Sequence, residues 1–199
     1  HVIFEDLFHK LENKMLDKII LRKKKLLTRK KNYFDVNQFF FKPVIKLIEN
    51  NFLHKSLFLS LYLPSNYEVN TLGIFKLLKS QQIKTLLPVI ISEFEMKFEK
   101  WKPKDVLRVN KFGMLEPIIQ NNNNFIPDIM LLPLIAYDKN YHRLGYGKGY
   151  YDRFLNKYLG LKKNILTIGV AFSDQKYNKI PINKFDVKLD HILTEKGLS

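Results

Sequence analysis

The sequence predicts an α/β fold, in which a single domain forms a three-layer sandwich with a mostly parallel central sheet. Two short and almost continuously apolar runs, residues 56–63 and 164–172, are typical of strands that are buried on both faces of a parallel sheet. These runs alternate with segments whose apolar residues recur at helical spacing, which favours helices on both faces of the sheet. The 199 residues suffice for one such core and are too few to favour two ordinary domains.

The composition excludes several classes of protein. A 46% share of apolar residues excludes general disorder, and the absence of cysteine excludes disulfides, thiolate nucleophiles and cysteine-ligated zinc. The histidines show no spacing typical of a zinc hydrolase. No apolar run approaches the roughly 20 residues of a membrane span, and Glu5, Asp6 and Glu12 argue against a signal or transit peptide. We therefore expect a cytoplasmic protein with no membrane partner, and we take a monomer as the default.

The net charge of +15 raises the question of an anionic partner. Nucleic acid is the usual candidate for such a charge, so a basic RNA-binding module is one alternative. The lysines are spread through the whole chain together with many asparagines and isoleucines, and no nucleic-acid recognition motif accompanies them. We therefore favour a compositional bias over a nucleic-acid surface and expect no nucleic-acid partner. A small polyanionic ligand would also suit this charge.

We expect residues 1–14 to be an N-terminal extension, either expression-derived or a poorly ordered arm, and residues 15–199 to form the single domain. Residues 15–31 carry apolar side chains on one side of a predicted helix. Basic residues follow at steps of four, three and four on another side: Lys18, Arg22, Lys25 and Arg29. The ordinary interpretation of such a stripe is a solvated helix face.

The next segments predict a helix, a strand and a second helix. Asp35 and Gln38 have the spacing of a capping box that opens a helix, which either begins near Lys42 or kinks at Pro43. The apolar run of residues 56–63 is the first buried strand. A turn follows it and leads into a helix predicted for residues 71–81.

Further strands are predicted in the middle of the chain. Residues 84–91 form the next strand, and residues 95–101 alternate as expected for an edge strand or a hairpin partner. The four consecutive asparagines of residues 121–124 indicate a surface loop. Residues 128–132 predict a short buried strand.

A glycine-rich basic loop at residues 143–153 is the strongest functional signal. Glycines at three alternate positions allow close approach of the backbone to a ligand, and Arg143 and Lys148 bring positive charge to the same loop. Helical spacing begins after Gly149, so the loop would deliver its amides to a helix N-terminus, where anions are stabilised. The pattern GxGxG differs from the dinucleotide motif GxGxxG, and the chain contains no P-loop motif. For this loop alone, a flexible turn is an equally good interpretation.

The whole string around the loop resembles the signature of the 5-formyltetrahydrofolate cyclo-ligase family. It consists of Pro133, Ala136-Tyr137-Asp138, Arg143-Leu144-Gly145 and Gly147-Lys148-Gly149-Tyr150-Tyr151-Asp152. The resemblance extends from about Lys18 to Glu195. It implies closure of 5-formyltetrahydrofolate to 5,10-methenyltetrahydrofolate, with ATP as co-substrate, Mg²⁺ as cofactor, and phosphorylation of the formyl oxygen as the activating step.

The resemblance also implies roles for individual residues. ATP would be bound by Lys18, Arg22, Arg143, Leu144, Gly145, Tyr146, Gly147, Lys148, Gly149, Tyr150 and Tyr151, and the catalytic residues would be Lys148 and Arg143. The folate would be bound by Leu61, Glu68, Asn70, Phe112 and Tyr150, and the metal by Asp152 and Asp186. Asn70 stands where the family pattern has an acid, and it cannot act as a carboxylate acceptor. A repurposed relative of the family is therefore a second alternative.

Overall fold

The fold is taken from a computed structural model, which describes residues 2–52, 56–78, 82–119, 123–161 and 163–199, with side chains from Met15 onward. The α-helices are α1 (Val2–Lys31), α2 (Lys42–Asn51) and α3 (Tyr150–Gly160). The strands are β1 (Leu57–Ser60), β2 (Ile83–Ile90), β3 (Met96–Lys100), β4 (Leu107–Val109), β5 (Leu115–Pro117), β6 (Ile129–Pro133), β7 (Ala136–Tyr137), β8 (Arg143–Leu144), β9 (Leu166–Val170), β10 (His191–Thr194) and β11 (Gly197–Leu198).

Seven strands form the central sheet in the order β11-β10-β9-β6-β1-β2-β3. The neighbours from β10 to β2 are parallel, and β3 and β11 add an antiparallel strand at each edge. The predicted edge position of residues 95–101 is therefore confirmed. The pairs β4–β5 and β7–β8 form two separate antiparallel ribbons.

The two faces of β6 show why the protein has three layers. Ile129 and Leu131 belong to the core cluster that contains Val44 of α2. Met130 and Leu132 belong to the opposite cluster, together with residues of α3. Successive side chains of a strand point to opposite faces, so a continuously apolar strand must be covered on both sides. The predicted three-layer α/β sandwich with a mostly parallel sheet is confirmed.

Helix α1 turns its basic side toward the protein and exposes much of its apolar side, which is the reverse of an ordinary amphipathic helix. Leu21 packs with Ala136, Leu144 and Ile180, whereas much of the predicted apolar side is exposed. The exposed apolar residues of α1 are Met15, Leu16, Ile19, Ile20 and Leu27. The basic stripe turns inward, and Arg29 has only 1% of its surface exposed. The interpretation of the stripe as a solvated face is therefore wrong.

The predicted second helix begins differently from the capping-box interpretation. Asn37, not Asp35, caps a short 3₁₀ helix at Gln38–Phe41 by accepting a hydrogen bond from the amide of Phe39. Helix α2 then starts at Lys42, with Pro43 in its first turn, where the missing proline N–H costs nothing. The carboxylate of Asp35 instead accepts a hydrogen bond from the hydroxyl of Tyr33.

Two other predictions are corrected in extent. The helix predicted for residues 71–81 is a 3₁₀ helix at Thr71–Lys76, and residues 79–81 lie outside the described residues. Of the predicted surface loop 121–124, residues 123 and 124 are described, and both are exposed.

In the described part of the chain, no helix is both long and apolar enough to cross a membrane.

Candidate active site

The site lies at the carboxyl edge of the parallel sheet. The chain segments that follow β1, β6 and β9 all emerge at this edge, which is where open α/β sheets bind ligands. The segment after β6 forms the β7–β8 ribbon, fixed by a 2.7 Å hydrogen bond from the amide of Ile135 to the carbonyl of Leu144. The glycine loop 145–149 follows at once and runs into α3.

The glycine loop has a backbone that other residues would strain. Gly147 and Gly149 adopt positive φ angles of 95° and 69°, a region that is costly for residues with a Cβ atom. Gly149 is also the N-cap of α3 and provides no side chain to its free amides. These amides and the helix dipole make the loop a suitable site for an anion.

Arg22 of α1 crosses this loop. Its Nε donates a 2.8 Å hydrogen bond to the carbonyl of Gly145. A Cβ atom on Gly147 would come within 3.2 Å of the guanidinium carbon, so the loop and the arginine side chain are closely packed. Burial lowers the pKa of Arg22, and the charge of Asp186 opposes that shift. The opening helix thus brings a cation to the glycine loop.

Two acidic residues near the loop are each paired with a basic residue. Lys18 Nζ lies 2.5 Å from Asp186 Oδ2, and Arg143 Nη2 lies 2.9 Å from Asp152 Oδ1. The two acids are neighbours in space, because the amide of Val187 donates a 3.2 Å hydrogen bond to Asp152 Oδ1. The site therefore combines two carboxylates with two cations.

The guanidinium group of Arg143 is buried and only partly satisfied. In the part of the chain that is described, Arg143 Nε and Nη2 have no hydrogen-bond partner. The 2.9 Å contact with Asp152 is thus an ion pair without hydrogen-bond geometry. Buried N–H groups that lack an acceptor are costly, so an oxygen-rich anion would be stabilised here.

Lys148 occupies the outer side of the loop. Its side chain is exposed, and its ammonium group lies 5.5 Å from the ring centre of Phe112, within cation–π range. The carbonyl of Lys148 accepts a 2.8 Å hydrogen bond from Arg153, which fixes the backbone at this position. An exposed lysine on a fixed backbone can reach a ligand without leaving a buried partner.

A buried polar network lies on the inner side of the loop. Arg29 Nη2 donates a 2.6 Å hydrogen bond to the hydroxyl of Tyr146, which donates a 2.7 Å hydrogen bond to Glu68 Oε1. Burial raises the pKa of Glu68, whereas hydrogen bonds from Tyr146 and Ser65 and the charge of Arg29 lower it. The hydroxyl of Tyr62 is buried nearby, and burial raises its pKa.

Residues 14–195 match the model of the 5-formyltetrahydrofolate cyclo-ligase family. The chain belongs to this family. The family expected from the glycine-loop signature is thereby confirmed.

Individual cyclo-ligases are similar over most of the chain. The 5-formyltetrahydrofolate cyclo-ligase of Mycoplasma genitalium is 36% identical over 191 residues, which cover 90% of this chain and 98% of the relative. That of Haemophilus influenzae is 32% identical over 141 residues, which cover 68% of this chain and 74% of the relative.

Solved structures agree with this similarity. The 5,10-methenyltetrahydrofolate synthetase of Aquifex aeolicus gives a TM-score of 0.69 at 29% identity, covering 91% of each chain. The 5,10-methenyltetrahydrofolate synthetase of Mycoplasma pneumoniae gives 0.64 at 30% identity, covering 89% of this chain and 98% of the other.

Most of the residues that the cyclo-ligase signature predicts for ATP come together at the loop. Arg22 bonds to the loop, Arg143 directly precedes it, and Lys18 lies one helical turn before Arg22 and pairs with Asp186. The backbone of residues 144–149 forms the loop itself. Leu144 contributes backbone only, since its side chain is in the core. Burial raises the pKa of Tyr151, which therefore stays neutral.

The residues predicted for the folate are less uniform in their placement. Leu61 has no exposed surface and belongs to the core. Asn70 caps the 3₁₀ helix by accepting a 3.0 Å hydrogen bond from the amide of Leu72. Phe112 is partly exposed beside Lys148, and the hydroxyl of Tyr150 donates to the carbonyl of Ser92 at 3.1 Å. Substrate contacts of these residues stay predictions.

Sequence reasoning missed the roles of two basic residues of α1. Arg29 is the cation of the buried network, and Lys25 donates to the carbonyls of Asp174 and Lys176 at 2.8 and 3.0 Å. Both follow Lys18 and Arg22 in the same stripe of the helix. The regular spacing was the available signal, because one stripe of a helix faces one neighbouring surface.

Magnesium, which cyclo-ligase similarity implies, fits the acidic pair. Within the described ranges, no three histidine, aspartate or glutamate side chains are grouped as metal ligands. Mg²⁺ is nevertheless commonly bound by one or two carboxylates together with substrate phosphates. Asp152 and Asp186 are carboxylates of this kind, and the hydrogen bond from the Val187 amide to Asp152 Oδ1 brings their segments together.

Proposed function

We propose that this chain is an ATP-dependent 5-formyltetrahydrofolate cyclo-ligase, which forms 5,10-methenyltetrahydrofolate and releases ADP and phosphate. One observation carries the proposal beyond family membership. Arg22 of the opening helix bonds to Gly145 of the glycine loop at 2.8 Å, so cations from two distant parts of the chain meet at one anion-binding backbone. Such an arrangement suits a triphosphate.

The reaction needs activation of a poor leaving group. The formyl oxygen attacks the γ-phosphorus of ATP; the new oxygen–phosphorus bond forms as the bond to the β-phosphate oxygen breaks, and ADP leaves. N10 then adds to the activated formyl carbon, and phosphate departs with the former formyl oxygen as N10 loses its proton. Phosphoryl transfer of this kind depends on positioning and charge stabilisation more than on a protein nucleophile. A chain without cysteine is fully compatible with it.

The cations have separate tasks in this proposal. Lys148 and Arg143 stabilise charge on the transferring phosphoryl group, and Lys18 and Arg22 bind the remaining phosphates together with the loop amides. Lys148 is suited to the moving group because its side chain is exposed and can follow it. Arg143 is suited because its buried N–H groups lack acceptors in the described part of the chain.

The acidic residues complete the phosphate side. Asp152 and Asp186 would hold Mg²⁺, which supplies neutralisation of phosphate charge. Their present partners, Lys18 and Arg143, are the same residues that we assign to phosphates. Binding of ATP with its metal would therefore exchange two internal ion pairs for contacts to the ligand.

The folate side is assigned to residues that border the loop. Glu68 lies next to Tyr146, and Phe112 lies next to Lys148, so both neighbour residues of the phosphate loop. Leu61, Asn70 and Tyr150 keep the substrate roles expected from the family signature as part of the proposal. A monomer in the cytoplasm, without a nucleic-acid or membrane partner, also remains our expectation. The inward orientation of Arg22 and Arg29 supports the absence of a nucleic-acid partner, since these two cations of α1 do not contribute to an outer basic surface.

An absorbance assay tests the proposal. The purified chain is mixed with 5-formyltetrahydrofolate, ATP and Mg²⁺, and the methenyl product is followed by its absorbance while ADP is measured in parallel. We expect product and ADP in equal amounts, and neither when the folate is left out. Folded protein that forms no methenyl product would exclude the proposal. If that protein binds RNA, the RNA-binding alternative is supported. If it does not bind RNA either, a repurposed relative of the family is supported.

A further inference from the structure

Three distant segments of the chain meet in the buried polar network. Arg29 comes from α1, Tyr146 from the glycine loop and Glu68 from the turn before the 3₁₀ helix at Thr71–Lys76. Arg29 is almost completely buried, and Glu68 has 5% of its surface exposed. A buried cation and a buried carboxylate are thus joined through one neutral phenol.

From this geometry we infer that Arg29 and Tyr146 are positioning residues, which fix the carboxylate of Glu68 for the folate. The inference rests on the proposed function. Arg29 itself is held in place, because Nη1 donates to the carbonyl of Leu134 at 3.0 Å and Nη2 to that of Asn66 at 2.7 Å. Its planar guanidinium group serves these three acceptors from two separate nitrogens, whereas a lysine would have to reach all of them from one.

The carboxylate of Glu68 is held from both sides and retains capacity for a ligand. Oε1 accepts from Tyr146, and Oε2 accepts from the amide of Ser65 at 2.8 Å and its hydroxyl at 3.3 Å. An ionised carboxylate offers about four acceptor positions. One position is therefore left for a donor such as an N–H group of the pterin ring.

Tyr62 points to the same conclusion. Its hydroxyl is buried and has no hydrogen-bond partner in the described part of the chain. It interacts electrostatically with Glu68, Tyr146 and Arg29. Buried hydroxyl groups normally find a partner, so an unpaired one beside a fixed carboxylate indicates a polar ligand at this place.

The sequence position of Tyr146 and its hydrogen bonds indicate two different roles. It stands between Gly145 and Gly147, and the family signature assigns it to ATP. The residue as a whole is 38% exposed, but its hydroxyl is directed inward to Arg29 and Glu68. The hydroxyl therefore serves the folate side, although the residue belongs to the phosphate loop.

The network also tunes the protonation of Glu68. Burial raises the pKa of this carboxyl, and the hydrogen bond from Tyr146 opposes the rise together with Ser65 and the charge of Arg29. The other titratable groups that face it are the hydroxyls of Tyr62 and Tyr151, both neutral because burial raises their pKa. Loss of the Tyr146 hydroxyl therefore moves the pKa of Glu68 upward.

The test compares two tyrosine variants of the full chain. Tyr146→Phe removes the hydroxyl and keeps the ring. The matched control is Tyr33→Phe, which also removes a phenol–carboxylate hydrogen bond, the 2.7 Å contact with Asp35, but does so at the protein surface. Calorimetric titration gives the dissociation constants for 5-formyltetrahydrofolate and for ATP, and NMR of ¹³C-labelled glutamate gives the titration midpoint of Glu68.

We expect Tyr146→Phe to weaken folate binding roughly tenfold, as for loss of a hydrogen bond to a charged group, and to leave ATP binding within about twofold. The titration midpoint of Glu68 should move to higher pH in Tyr146→Phe. In Tyr33→Phe, the dissociation constants for 5-formyltetrahydrofolate and ATP should both stay unchanged. Arg29→Lys should weaken folate binding by a similar factor if it folds; if it does not, Tyr146→Phe decides alone.

Two failures are distinguishable. If the unmodified chain neither binds nor converts 5-formyltetrahydrofolate, the proposed function is wrong. If the unmodified chain binds the folate and Tyr146→Phe behaves like Tyr33→Phe in both folate affinity and Glu68 midpoint, the positioning role is excluded. A Tyr146→Phe variant that loses affinity for ATP alone would also exclude it and assign the hydroxyl to phosphate.

Discussion

The ammonium group of Lys18 lies 2.5 Å from Asp186 Oδ2, and both side chains are mostly buried, with 13% and 21% of their surface exposed. The family signature assigns Lys18 to the phosphates of ATP and Asp186 to the metal. In the structure they neutralise each other, as Arg143 and Asp152 do. Two buried charges of opposite sign cost less as a pair than either does alone. These four charges thus balance one another without a ligand.

This pairing predicts an unusual effect of Asp186→Asn. The substitution removes the internal partner of Lys18, so the ammonium group becomes fully available to phosphate. In the presence of a metal chelator, we expect ATP to bind to this variant up to about fivefold more tightly than to the unmodified protein, which corresponds to about 1 kcal/mol for one ion pair. Lys18→Met should weaken the same binding. Calorimetric titration measures both.

The control for this prediction is Asp17→Asn. Asp17 is exposed on the same helix, next to Lys18, so its substitution changes the net charge equally without releasing the ammonium group. ATP affinity should then change by much less than in Asp186→Asn. If Asp186→Asn binds ATP more weakly than the unmodified protein does in the presence of the chelator, Lys18 does not exchange Asp186 for phosphate.

Lys148→Ala should remove most of the turnover and leave the fold intact. Lys148 is exposed and pairs with the ring of Phe112, so its removal costs little stability. Loss of a cation at the transferring phosphoryl group should lower kcat by a factor of roughly 100 to 1,000. Lys46→Ala, an exposed lysine on α2, is the matched control and should keep full activity. Retained turnover in Lys148→Ala would mean that the phosphate assignment is misplaced.

Much of the fold was predictable, because runs that are apolar on both faces have few alternatives to parallel strands. The prediction of strand ends fails where buried residues continue beyond the end of a strand. Residues 56–63 predicted one strand, but β1 ends at Ser60, and Leu61 and Tyr62 are buried beyond its end. The β4–β5 ribbon escaped prediction because its strands have three residues each. The ribbon is held by a cross-strand ion pair between Arg108 and Glu116, and such a pair leaves no periodic pattern in the sequence.

The site was predictable where a local motif defines it and not where distant contacts do. The glycine loop and its lead into α3 follow from residues within one segment. The inward turn of the α1 stripe depends on partners more than 100 residues away, such as Gly145 for Arg22 and Leu134 for Arg29. The hydroxyl of Tyr146 likewise bonds to Glu68, 78 residues earlier, which no local pattern indicates.

Gly147→Ala should damage both stability and ATP binding. The residue has a φ of 95°, and a new Cβ atom would lie 3.2 Å from the guanidinium carbon of Arg22. The positive φ alone costs roughly 1–2 kcal/mol for an L-residue with a side chain. Displacement of Arg22 should add a loss of ATP affinity. Thermal unfolding and calorimetric titration measure the two effects separately.

Gly160→Ala is the control for that substitution. Gly160 ends α3, and a Cβ atom there would meet nothing within 4 Å. Alanine should therefore be neutral or slightly stabilising at this position. Equal behaviour of the two alanine variants would show that the conformation of the loop at Gly147 does not matter for ATP.

The stability of the protein should depend on pH through Glu68. Burial raises the pKa of its carboxyl above the usual value for glutamate, so the folded state holds the proton more tightly than the unfolded state does. The stabilising contribution is fully present below the pKa of the unfolded chain, about 4.3, and is lost as the pH rises through the higher folded pKa. Glu68→Gln cannot ionise and escapes this loss.

The free energy of unfolding of Glu68→Gln should therefore increase relative to that of the unmodified protein as the pH rises above the unfolded pKa of about 4.3, while its affinity for the folate falls. Denaturant unfolding at several pH values measures the first effect. Glu49→Gln, on an exposed position of α2, should show no such pH-dependent difference. A difference that shrinks as the pH rises would mean that the hydrogen bonds from Ser65 and Tyr146 outweigh burial, so that the pKa of Glu68 is lowered by folding.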